Sequence, residues 1–172
     1  LPSFEKLINL SIEESDIVAS QLFPPNVVEA IIDTNLPIAL SFTSDWHLGG
    51  LGVDYAQFAD DMDKIEKVDG LFAYVGGDLR DNFIQPSKMG GALESQPIIR
   101  QTMLLRQTIK KIRNKIVALG LGNHDWDRDI TGINFTAELA RQFRIIYTDH
   151  GGLLKLTVGN TVYDIFRSHK FK

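Results

Sequence analysis

Three short apolar runs, each followed by a cluster of polar side chains, constrain the fold more than any other feature of the sequence. They cover residues 38–42, 71–75 and 116–119. Apolar runs of four to eight residues bounded by turn signals are typical of buried strands. The segments between them carry apolar residues at gaps of three and four, which predicts helices. This alternation predicts an α/β fold with a largely parallel sheet.

Local signals predict several element ends. Asp54 is a candidate N-cap for a helix whose apolar stripe includes Phe58 and Met62. Residues 153–158 and 161–166, separated by Gly-Asn, are expected to form a hairpin with a primed turn. The parallel sheet should therefore be joined by some antiparallel strands.

Residues 1–36 carry helix signals without strand signals, so we predict a helical N-terminal extension there. Ser11 and Glu14 form a capping-box pair in front of a first helix. A second short helix is predicted over 27–32. The remaining residues, 37–172, are predicted to form one domain.

Composition excludes several classes of protein. The chain has 172 residues, no cysteine and a formal charge of −4, from 18 basic and 22 acidic residues. Disulfides, thiolate nucleophiles and cysteine-ligated metals are excluded, and a reducing, cytoplasmic location is expected. No apolar run approaches the roughly 18–20 residues that cross a bilayer, so no membrane segment is expected. Net charge does not attract nucleic acid, which would need a local basic patch or bound cations.

Side chains that can bind metal ions follow each of the three apolar runs. In chain order they are Asp45 and His47, then Asp78 and Asp81, then Asn123, His124 and Asp125. The carboxyl ends of parallel strands are where α/β sheets place their sites. Carboxylate and imidazole ligands without thiolate suit manganese, iron, zinc or nickel. Two such ions about 3.5–4 Å apart can polarise a phosphoryl group for in-line attack.

The motifs Asp45-x-His47, Gly77-Asp78-x-x-Asp81 and Gly122-Asn123-His124-Asp125 resemble the motif series of the calcineurin-like metallophosphoesterase superfamily. The resemblance covers residues 38–172. It implies a layered α/β/β/α sandwich and a phosphoester hydrolase with two divalent ions, of which Mn²⁺ is the first candidate and Fe, Zn and Ni are alternatives. Residues 44–49 are most similar to the opening motif of the exonucleases that process double-strand breaks. A phosphodiester substrate, with DNA as a candidate, is therefore expected.

The resemblance also implies a role for each metal-binding residue. Asp45 and His47 would bind the first metal, and Asp78 would bridge both metals. Asn123 would bind the second metal through its side-chain oxygen. His169 falls where the family has its next metal-binding histidine.

Two further residues would act beside the metals. With a metal-bridging hydroxide as nucleophile, His124 would be the general acid, and Asp125 would orient it and raise its pKa. The family's final Gly-His-x-His motif, which supplies one ligand to each metal, does not occur before Lys172. We therefore expect the complete protein to continue past that residue and to add the closing strands of a second sheet.

Alternatives remain for the function and for single residues. The same fold could serve as a non-catalytic scaffold that binds a protein partner, for which residues 1–36 are a candidate surface, or as a phosphomonoesterase. Asp81 is interpreted as a hydrogen-bonding residue rather than a ligand. The five basic residues within 106–115 are interpreted as cations that favour a helix C-terminus rather than as a nucleic-acid strip.

Overall fold

A computed structural model describes residues 3–22, 27–81, 96–125 and 134–169. Four helices and seven strands are described, with a 3₁₀ turn at Arg113–Lys115. In chain order they are α1 (Phe4–Leu22), β1 (Val27–Ile32), β2 (Ala39–Thr43), α2 (Tyr55–Lys67), β3 (Leu71–Val75), α3 (Ile98–Ile112), β4 (Ile116–Gly120), α4 (Phe135–Phe143), β5 (Tyr147–Thr148), β6 (Gly151–Val158) and β7 (Thr161–Ser168).

The strands form two sheets. The first has four parallel strands in the order β2-β3-β4-β5. The second has the order β1-β6-β7, with β1 parallel to β6 and β7 antiparallel to it. The prediction of an α/β fold with a largely parallel sheet and some antiparallel strands is confirmed.

Two apolar clusters hold these layers together. The first packs α2, α3 and α4 against one face of the four-stranded sheet and includes Met62, Leu105 and Leu139. The second lies between the two sheets, where Tyr74 and Leu154 are both buried. Because fully burying one such side chain contributes about 1.5–3 kcal/mol, both clusters stabilise the stack of helices, sheet and sheet.

The outer face of the three-stranded sheet is open within the described part of the chain. Ile31 and Phe166 lie on β1 and β7 and are 76% and 70% exposed. A fourth layer, as predicted from the α/β/β/α pattern, is therefore not formed by the described residues.

Two of the predicted element ends are confirmed at atomic detail. Asp54 caps α2, since its Oδ1 accepts the N–H groups of Ala56 and Gln57 at 3.1 and 3.0 Å. The hairpin turns between Val158 and Thr161. Gly159 has a φ of +56°, which is what a primed turn requires at its first central position.

The helix in the N-terminal part begins before its predicted start at Ser11. Ser11 lies inside α1, where its Oγ donates to the carbonyl of Leu7 at 2.9 Å, so it is not a cap. The Oγ of Ser3 instead accepts the N–H of Lys6 at 3.3 Å at the start of the helix. None of the helices in the described ranges is long and apolar enough to span a membrane.

The prediction of a second helix over 27–32 is wrong. These residues form β1, which pairs with β6 from Val27 opposite Leu153 to Ile32 opposite Val158. Four of its six residues are β-branched, and such side chains favour a strand packed on a pleated surface. The helical prediction for 1–36 is therefore correct only for Phe4–Leu22.

Part of the basic stretch within 106–115 contacts α2. The Nζ of Lys111 pairs with Asp63 at 2.9 Å and with Glu66. The Nζ of Lys115 donates to the carbonyl of Val68 at 2.9 Å. These two cations link α3 and the 3₁₀ turn to α2.

Candidate metal centre

The loops that follow β2 and β3 run side by side beyond the sheet. The N–H of Asp45 donates to the carbonyl of Gly77 at 2.9 Å, and the N–H of His47 donates to the carbonyl of Asp78 at 3.1 Å. Leu48 then forms an isolated parallel bridge with Arg80. The carboxyl ends of the first two strands therefore deliver their polar residues to one place.

Two glycines let the loop after β4 join this pair. Gly77 has a φ of +99°, and a Cβ there would lie 2.3 Å from the backbone nitrogen of Gly122. A Cβ on Gly122 would lie 2.0 Å from Oδ1 of Asp78. Any larger residue at either position would push the two loops apart, because non-bonded carbon contacts are normally about 3.5–4.0 Å.

The backbone is left-handed at three of the polar residues. Asp45, His47 and Asp78 have φ values of +54°, +42° and +52°. Among the described residues, only one other non-glycine residue, Arg144 at the C-cap of α4, has a positive φ. Such conformations cost about 1–3 kcal/mol each and cluster at functional sites, where the surrounding structure holds them.

The polar side chains form two groups that share one carboxylate. His47, Asp78 and His124 offer ligand atoms within 4.8 Å of one another, and so do Asp45, Asp78 and His169. Asp78 is 4% exposed and belongs to both groups. Imidazole nitrogens and carboxylate oxygens at these separations could hold metal ions. A shared Asp78 is what the predicted bridging role requires.

The second group also includes the predicted amide ligand. Nε2 of His169 lies 3.0 Å from Oδ2 of Asp78 and 3.3 Å from Oδ1 of Asn123. His169 comes from the end of β7, so the three-stranded sheet contributes a side chain to an edge otherwise built by the four-stranded sheet.

The grouping differs from the expected one at two residues. Asp45 and His47 were expected on the same metal, but the structure places them in different groups on either side of Asp78. His124 was not expected among the ligands, yet its ring lies in the group of His47. The two rings are edge to face, with centroids 4.7 Å apart.

Asp81 orients both histidines of the first group. Its Oδ1 lies 3.2 Å from Nδ1 of His47, and its backbone carbonyl lies 2.7 Å from Nδ1 of His124. A carbonyl oxygen can only accept, so Nδ1 of His124 donates and the ring presents Nε2 elsewhere. A carboxylate on Nδ1 of a histidine is the usual means of fixing a metal-binding ring. Asp81 lies outside both ligand groups, and its effect on two rings was missed.

Asp125 clamps two loops together. Its buried carboxylate accepts the N–H groups of Asp78, Leu79 and Gly122 at 2.6, 2.9 and 3.0 Å. Burial raises the pKa of Asp125, and the N–H groups of Leu79 and Gly122 oppose that rise. The expected contact with the ring of His124 is not made, because that ring bonds the carbonyl of Asp81. Asp125 therefore acts on the backbone that carries Asp78.

No family model matches this chain, and no curated protein matches it in sequence. The interpretation of the centre depends on the contacts of its own residues. The main support for a metal centre is that the two ligand groups share Asp78.

Asp81→Asn is expected to weaken metal binding by about 10–100-fold, as is usual when a partner of a metal-binding histidine is changed. The variant keeps the backbone carbonyl that holds His124 and replaces only the carboxylate on His47. Calorimetric titration with Mn²⁺ measures the effect. Asp60→Asn makes the same charge change on the exposed face of α2, outside the lining of the centre, and should bind like the parent. Equal affinity in the two variants would contradict the assignment.

Asp45→Gly is expected to stabilise the metal-free protein while impairing metal binding. Glycine adopts a φ of +54° without strain, so we expect a gain of about 1 kcal/mol and a rise in Tm of about 2–4 °C. Thermal unfolding in EDTA and in Mn²⁺ measures both effects. Asp69→Gly, at an exposed position without a positive φ, should lower Tm instead. A fall in Tm for both variants would show that Asp45 is not strained.

Proposed function

We propose that this chain is a metal-dependent phosphoester hydrolase with a metallophosphoesterase-type sandwich. The observation that carries the proposal is the buried carboxylate of Asp78, which belongs to two ligand groups at the carboxyl edge of a parallel sheet. Left-handed backbone at Asp45, His47 and Asp78 adds support, since such strain persists where function requires it.

The residues present fit a pair of divalent ions. Asp45, Asp78 and His169 would hold one ion, with Asn123 beside them, and His47 and Asp78 would hold the other. When bound, the two ions would supply the positive charge that polarises the phosphoryl group and the acidity that activates water. Mn²⁺ is the first candidate, and Fe, Zn and Ni suit the same ligands.

His124 is the residue we assign to proton transfer. Its Nδ1 is held by the carbonyl of Asp81, so we assign the proton transfer to the other ring nitrogen, Nε2. The protonated ring can then donate from Nε2 to the leaving oxygen. General acids placed in this way contribute about 10²–10⁴-fold to a rate.

The substrate proposed is a phosphodiester. The resemblance of residues 44–49 to nuclease motifs favours DNA. A cavity of about 590 Å³ beside His47 favours a small diester instead, because its lining includes Trp46, Phe58 and the acidic Asp54 and Asp61. Carboxylates in this position repel a polyanion. A small diester is therefore the first substrate to test, and DNA is the second.

Metal content by mass spectrometry and turnover of bis(p-nitrophenyl) phosphate in Mn²⁺ test the proposal on the complete protein. We expect two ions per chain and turnover that EDTA abolishes. Parallel assays with p-nitrophenyl phosphate and with linear DNA separate a diesterase from a phosphomonoesterase and from a nuclease. A protein with neither metal nor turnover would instead be the non-catalytic scaffold.

A further inference from the structure

We infer that Arg167 is a positioning residue that fixes His169 against Asp78, and thereby controls one of the two ligand groups. Arg167 lies on β7, two residues before His169. The inference rests on the proposed function, because it assigns the structural control of one metal in the same centre.

The guanidinium of Arg167 joins the two sheets at the edge where the centre lies. Its Nη1 donates to the carbonyl of Asp149 at 2.6 Å, and its Nη2 donates to the carbonyl of Leu121 at 3.0 Å. Asp149 directly follows β5, and Leu121 directly follows β4. One side chain of the three-stranded sheet therefore binds the ends of two strands of the other sheet. The planar fork of arginine suits two acceptors at once, which a lysine cannot match.

The last residue of β4 is shaped to receive this group. A Cβ on Gly120 would lie 2.5 Å from Nη1 and 2.7 Å from Cζ of Arg167. Only glycine leaves room for the guanidinium against the backbone at this point. The close approach is therefore a further contact of the guanidinium, made with the backbone at the end of β4.

Burying the guanidinium of Arg167 would destabilise the protein if its N–H groups had no acceptors. Burial lowers its pKa, which means that desolvation opposes the cation, while the nearby Tyr74 and Asp125 favour it. A buried arginine keeps its charge, so its donors must be satisfied by fixed acceptors. The two carbonyls supply them, and they tie the end of β7 to β4.

His169 depends on this tie for its place. Its N–H donates to the carbonyl of His150 at 2.8 Å, which extends the β6–β7 pairing by one step past Ser168. Its Nε2 reaches Asp78 at 3.0 Å only while the hairpin end stays against β4. The side chains of His47 and His124 lie on loops of the other sheet, so they do not depend on the hairpin.

Two variants test the inference: Arg167→Met removes the guanidinium, and Gly120→Ala places a Cβ where the guanidinium lies. We expect each variant to reduce the Mn²⁺ content from two ions per chain toward one. The affinity for the ion in the group of His169 should fall at least tenfold, and the affinity for the ion in the group of His47 should not change. Arg167→Lys keeps the positive charge but not the planar fork, so it should give an intermediate loss of Mn²⁺ affinity. Lys155→Met, which removes only an exposed ion pair on the same hairpin, should load two ions.

Imidazole NMR resonances of the metal-free protein give a readout that does not need metal. In Arg167→Met and Gly120→Ala the ring signals of His169 should shift, and those of His47 should not. Unchanged His169 signals in both variants, or loss of both ions to the same degree, would overturn the inference. If the parent protein binds no metal, the proposed function fails, and the NMR comparison still decides whether Arg167 positions His169. Should Arg167→Met not fold, Arg167→Lys and Gly120→Ala decide the outcome.

Discussion

His124→Ala is expected to lower the turnover of bis(p-nitrophenyl) phosphate by about 10²–10⁴-fold while the protein keeps both metal ions. The reason is the proposed role of His124 as general acid, with Nδ1 held by the carbonyl of Asp81 and the proton transfer assigned to Nε2. Steady-state kinetics in saturating Mn²⁺, with metal content measured on the same samples, check both halves of the expectation.

The grouping of His124 with His47 and Asp78 makes this experiment decisive between two roles. A variant that loses one ion together with its activity would show that His124 is a ligand and not an acid. Hydrolysis at the parent rate in the variant would show that His124 is neither a ligand nor the general acid. His150→Ala is the matched control, because His150 contacts His169 through its backbone carbonyl and belongs to neither ligand group.

Asp125→Ala is expected to lower the free energy of unfolding by about 3–9 kcal/mol. Three N–H groups now bonded to one fully buried carboxylate would lose their acceptor, and each such loss costs about 1–3 kcal/mol. The total free energy of unfolding of a domain of this kind is only about 5–15 kcal/mol. Urea unfolding followed by circular dichroism measures the change.

Two further variants serve as comparisons for Asp125→Ala. Asp125→Asn keeps one acceptor oxygen and should fall between the parent and Asp125→Ala. Asp61→Ala, on the exposed face of α2, should change stability by no more than about 0.5 kcal/mol. A loss in Asp125→Ala as small as that of Asp61→Ala would show that the backbone between Asp78 and Gly122 is held by other contacts.

The parts of the fold that local signals specify were predictable from the sequence. Strands β3 and β4 are buried apolar runs, as predicted, whereas β2 is an edge strand on which Phe42 is 63% exposed. The ends of all three strands carry the polar residues of the centre. The cap at Asp54 and the turn at Gly159 likewise depend on neighbouring residues alone. Each signal lies within a few positions of the structure it specifies.

β1 could not be placed in this way because its partner is distant in sequence. Val27 pairs with Leu153, and no local pattern announces that contact. The β-branched residues Val28, Ile31 and Ile32 were the available signal, and they were outweighed by the helix signals around them. Long-range pairing of this kind overrides local preference.

The motifs identified which residues meet at the centre but not how their side chains are directed. His124 and Asp125 are adjacent in sequence, yet one contacts the carbonyl of Asp81 and the other contacts backbone N–H groups. Arg167 carries no motif at all, and only its contacts with Leu121 and Asp149 reveal it. Spacing indicates which residues could bind metal ions, while tertiary packing determines their hydrogen-bond partners.

The parallel pairing of β1 with β6 also has a consequence for synthesis on the ribosome. About 125 residues separate Val27 from Leu153, so β1 leaves the exit tunnel long before its partner exists. At roughly 5–20 residues per second, the delay is about 6–25 s. During that time the unpaired β-branched strand is a surface for chaperones or for misassociation between nascent chains. We therefore expect β1 to join its sheet only after the hairpin has been translated.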